Sequence, residues 1–81
     1  MKTQIGEITH FFPHVMVAVV KVAKDMKIGD KILIEGHGTS FEQTVESMQI
    51  DGKPITAAKK DQEIGLKVDE IVKEKDNIFK V

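Results

Sequence analysis

Residues 32–45 read ILIEGHGTSFEQTV, with two glycines around a histidine and two hydroxyl side chains behind them. A phosphate-cradling loop can be spelled in much this way, so the reading of these residues separates a nucleotide enzyme from an all-β module. A P-loop places lysine and a hydroxyl directly after its last glycine and opens a helix whose N-terminus receives the phosphate. Here Thr39 and Ser40 follow Gly38, and a strand-like run, FEQTV, comes next. A dinucleotide fingerprint fails for the same reason, since no strand-helix-strand unit surrounds the glycines. GHG is therefore read as the turn of a hairpin, with Gly36 and Gly38 supplying flexible or positive-φ positions.

Working outward from that turn, every apolar segment is short and alternating or continuously apolar, and none sustains a helical period. A first strand is expected over 4–12, where the uneven spacing of Ile5, Ile8, Phe11 and Phe12 calls for a bulge. Pro13 then turns the chain. VMVAVVKV at 15–22 is apolar on both faces, which marks a central strand covered on both sides. AKDMKIGD is a polar connection, and Ile32 and Ile34 share one face of the next strand with Leu33 opposite. FEQTVESMQI is read as one strand over 41–50, ending at the Asp51-Gly52 turn. ITAAKKDQ has modest helix propensity but is too short to form an element, and two last strands, EIGLKVDEI and NIFKV, flank the charged loop VKEKD. About six short strands without covering helices favour closure, so the expected fold is an all-β, closed six-stranded Greek-key β-barrel, a single domain over 1–81.

Composition narrows the function classes. With no cysteine, disulfides and thiolate zinc sites are excluded, and a reducing, cytoplasmic setting is expected. The most apolar run, VMVAVV, is too short to span a bilayer, so no membrane association is expected. The formal net charge is −1, all 12 basic residues are lysine, and Trp and Tyr are absent. Bidentate phosphate recognition by arginine and base stacking on those rings are therefore unavailable.

No catalytic, metal or cofactor site emerges from the residues. His37 stands at the turn without a sequence signal for an orienting group, and His10 and His14 flank FFP without a third metal ligand of recognisable spacing. Phe11 and Phe12 are adjacent, so a regular strand sends one ring outside. The candidate partner-binding residues are Phe11, Phe12 and His14 at one hairpin, with His37, Thr39 and Ser40 at the other, because loops on a rigid scaffold carry contacts without loss of fold.

The segment TVESMQIDGKPITAAKKDQEIGLKV at 44–68 resembles the second-domain β-barrel of translation elongation factors of the Tu and 1-alpha type. Val45, Ser47, Met48, Gln49, Pro54, Ala58, Ile64 and Gly65 fall in the order of that family's pattern, and MKIGDKILIEG at 26–36 is similar to its lead into an earlier strand. The chain departs from the pattern at Lys60-Asp61-Gln62 and at Glu74-Lys75-Asp76, where the family has glycine turns. The barrel is also similar to the C-terminal accessory domain of collagenase-like peptidases. These resemblances imply a non-enzymatic binding module with no GTP binding and no cofactor. They leave two partners open: a protein or RNA-containing assembly bound as a translation factor binds it, or a collagenase-like peptidase or RNA-modifying enzyme served in trans.

Overall fold

The computed structural model describes residues 3–81. Its ten strands are β1 (Thr3–Phe12), β2 (Val17–Val22), β3 (Met26–Lys27), β4 (Lys31–Gly36), β5 (Thr39–Thr44), β6 (Met48–Ile50), β7 (Lys53–Ile55), β8 (Ala57–Ala58), β9 (Glu63–Lys67) and β10 (Asn77–Lys80). Among the described residues there is no helix, and so none long and apolar enough to cross a membrane. Eight strands form one antiparallel sheet in the order β5-β4-β10-β1-β2-β9-β6-β7, while β3 and β8 pair separately.

The all-β reading holds; the closed six-stranded barrel does not. The sheet is open, with β5 and β7 as its edges. It is nevertheless curled: eight flat strands at about 4.8 Å spacing would extend beyond 30 Å, whereas the whole domain measures 30 × 30 × 20 Å. Curling lets one face of every long strand reach a common core that includes Ile5, Ile8, Val20, Ile32, Ile34, Met48, Leu66 and Ile78, each at most 2% exposed.

The departure from closure is traceable to one segment. The run 41–50, expected as a single strand, breaks at 45–47. Val45 leaves the ladder to exchange backbone bonds with the turn before β4, donating to the Asp30 carbonyl at 2.8 Å and accepting from Gly29 N–H at 2.8 Å. Beyond the break β6 pairs with β9 and β7 instead of β4. The β5 edge is then tied across the curl to the end of β9 and the residues after it by a side chain rather than by a ladder. Gln43 of β5 donates from Nε2 to the Lys67 carbonyl (2.9 Å) and accepts from Asp69 N–H (2.8 Å).

Other local expectations are met in part, for visible reasons. β1 carries register shifts between Gln4 and Gly6 and between Ile8 and His10, which reconcile its uneven apolar spacing. β2 is interior, flanked by β1 and β9. Asp51 and Gly52 both adopt positive φ (51° and 78°), the requirement of the tight turn joining β6 to β7. ITAAKKDQ is extended in part, supplying β8 to pair with β3, a strand hidden in what reads as a polar connection.

Candidate functional site

Residues 32–45 form the β4–β5 hairpin, with His37 and Gly38 as its two-residue loop. The glycines differ in role. Gly38 has φ +82°, whereas Gly36 is not in the left-handed region. A Cβ on Gly36 would fall 2.7 Å from Cγ of Asp76 and 3.2 Å from its Cα, with Oδ1 closer still. Gly36 is thus a close-approach glycine, and the group approaching it is a carboxylate.

Asp76 belongs to the 68–76 connection between β9 and β10, which fills the space between the two hairpins. Only 3% exposed, it accepts a hydrogen bond from Lys73 N–H at Oδ2 (2.9 Å), while its own N–H donates to the Lys73 carbonyl (3.1 Å). A short loop of like-charged lysines is pinned by a buried carboxylate that caps its backbone. The loop is stitched to β1 by Lys75 N–H donating to the Ile8 carbonyl (2.7 Å) and Ile8 N–H donating to the Asp76 carbonyl (2.8 Å). Val68 N–H reaches the Met16 carbonyl at 2.9 Å, tying the other end of the connection to the β1–β2 turn.

Ladder direction puts the two hairpin tips at one end of the sheet. Asn77 lies opposite both Glu7 of β1 and Glu35 of β4, so the Phe12 end of β1 and the Gly36 end of β4 point the same way. Two surfaces result. The first is an open pocket of about 500 Å3 lined by His37, Gly36 and residues 73–77. The second is the β1–β2 arm. There Phe12, 47% exposed, stacks edge-on against His10 (centroids 4.4 Å, 62°), and His10 Nδ1 lies 3.3 Å from Glu74 Oε2.

Of the residues expected to contact a partner, Phe12, His14, His37 and Ser40 are exposed, and Phe11 is half-buried against the core. Thr39 is a correction: it is 6% exposed, because its place opposite Gly36 turns it inward. The structure brings His37 to the 73–77 loop but leaves Phe11, Phe12 and His14 outside that pocket. Among the described residues no group of three or more His, Asp or Glu side chains is placed to hold a metal ion. Asp76 and Gln43 organise this end, and Asp76 is hidden within what reads as the charged loop VKEKD. Gln43 carried a signal in its even spacing from Phe41 and Val45, which puts it on the inward face.

No protein-family model matches the chain. Its fold is that of the C-terminal domain of a Geobacillus thermoleovorans protein assigned to the U32 peptidases. The TM-score is 0.89 at 22% identity, covering 95% of this chain and 90% of that one. The selenomethionine variant of the same domain gives 0.88 at 22% identity, over 94% and 96% of the two chains. In sequence, 79 residues are 40% identical to an uncharacterized protease of Methanocaldococcus jannaschii. The match takes in 96% of this chain and 19% of the protease, so the chain spans about a fifth of that relative's length. These matches support the peptidase-accessory resemblance, and the likeness to elongation-factor barrels gains no support from them.

Proposed function

We propose that this chain is a non-catalytic accessory module that works with a U32-type, collagenase-like peptidase by binding a protein surface. The observation that carries the proposal is the 40% identity to a protease of which the matched segment is only 19%. In that protein the same module stands beside a much larger remainder. The fold likeness to a domain named as the C-terminal part of a U32 peptidase supports the same assignment.

The surface features agree with a binding role. Phe12, His14, His37 and Ser40 sit on hairpins held by a rigid sheet, with Phe11 packed beneath them, and the loop between is fixed by Asp76. Affinity capture of the intact chain from its native cytosol, with mass spectrometry and RNA sequencing of the eluate, tests the proposal. Stoichiometric recovery of a U32 peptidase is expected. Recovery instead of one RNA species that persists through moderate salt would overturn it.

A further inference from the structure

β2 reads VAVVKV, apolar on both faces, as in strands whose sheet is covered on both sides. Only one side is covered here. Ala18, Val20 and Val22 are buried in the core, while Val17 and Val19 turn outward and remain partly exposed. Register places Phe12 opposite Val17 on one side of β2, and Gly65 opposite Val19 on the other. With Val15 (55% exposed) and Ile50, these residues line an outer trough of about 290 Å3. Its floor at Gly65 is bare backbone: a Cβ there would come within 3.0 Å of Gln49 and 3.2 Å of Val17.

We infer that this outer face of β1, β2 and β9 is the surface on which the body of a U32-type peptidase docks, through an apolar patch with an acidic margin. The inference rests on the accessory-module reading above. A β-strand with two apolar faces and one cover has a missing neighbour, and a contiguous exposed patch of this kind marks an interaction surface. In the Methanocaldococcus jannaschii protease about four-fifths of the chain lies outside the matched segment. A body of that size, tethered to the module, is present at high effective concentration. The charged residues lining the trough are Asp51 and Glu63, with no basic side chain among them. An acidic margin around an apolar centre repels nucleic acid and favours lysine or arginine on a protein partner.

The test titrates the isolated chain into the Methanocaldococcus jannaschii protease lacking its own matched segment, its fold verified by a cooperative melting transition. Wild type is expected to bind, Val15→Asp to weaken binding at least about tenfold, and Lys24→Asp, at an exposed position beyond the far end of β2, to change it little. Equal binding by Val15→Asp overturns the docking surface and leaves the accessory reading standing. No complex at about 100 µM overturns both. Sedimentation showing a homodimer that Val15→Asp disperses assigns the face to a second copy and overturns the choice of occupant. Should the shortened protease fail to fold, a chimera carrying this chain in place of the matched segment gives the second readout. Hydroxyl-radical oxidation of Phe12 should fall several-fold relative to the free chain, and unchanged oxidation overturns the inference.

Discussion

Gly36→Ala tests the contact on which the loop end of the sheet depends. The added methyl would enter the space of the Asp76 carboxylate, 2.7 Å from its Cγ, and would press on the Asp76 Cα at 3.2 Å. The carboxylate cannot swing away without releasing Lys73 N–H, a hydrogen bond to a charged group worth about 1.5–3 kcal/mol. Against this, replacing glycine in a strand returns about 0.5–1 kcal/mol. The backbone contact adds strain of about 1 kcal/mol, so the net loss is about 2 kcal/mol. At about 4–8 °C per kcal/mol for a domain of this size, the melting temperature should fall by about 8–16 °C. With neither Trp nor Tyr in the chain, the transition is best followed by far-UV circular dichroism in urea. Asp76→Ala alone should cost about 1.5–3 kcal/mol through the lost cap. The double variant should be no worse than Asp76→Ala, a coupling of about 2 kcal/mol. Additive losses, or a Gly36→Ala protein as stable as wild type, would refute the close-approach account.

Gly38→Ala should destabilise by about 1–2 kcal/mol because its φ of +82° is strained for any side chain; urea midpoints that match wild type would contradict this. Gln43→Leu removes both bonds joining β5 to the 67–69 backbone and should cost about 1–3 kcal/mol. The Asp69 amide should then exchange at least about tenfold faster, and unchanged exchange would mean that the seam is held otherwise. Ile78→Ala, at a position 0% exposed, should cost about 2–5 kcal/mol. That is enough to bring a small domain close to unfolding at 37 °C, readable as loss of the cooperative transition.

Much of this architecture is legible in the sequence because strand pattern and turn chemistry are local. The Asp51-Gly52 turn, the bulged β1, the two-sided β2 and the hairpin at His37-Gly38 all follow from neighbours in the chain. What changes ladder partners is not local. FEQTVESMQI alternates as one strand, yet Val45 is captured by Gly29 and Asp30, and the chain crosses to another part of the sheet. A trace of this was present: buried Gln43 and Val45 have odd positions, whereas buried Met48 is even, a parity change that a continuous strand cannot accommodate. The site is less legible than the fold. VKEKD looks like a solvated loop, and nothing near Asp76 in sequence reveals that its carboxylate is buried against Gly36. The apolar outer face of β2 was visible, but whether other strands cover it is a question only the completed topology answers.

The position of β10 has a consequence for how this module is made. Four residues long, it lies between β4 and β1, with Thr3 opposite Lys80. Until those residues have left the ribosome, the sheet exists only as two disconnected ladders, β5-β4 and β1-β2-β9-β6-β7. The full sheet therefore cannot assemble before β10 is made, and β4 and β1 each present an unpaired edge until then. Loop closure of this span makes the final step slow compared with that of a helical domain of equal size.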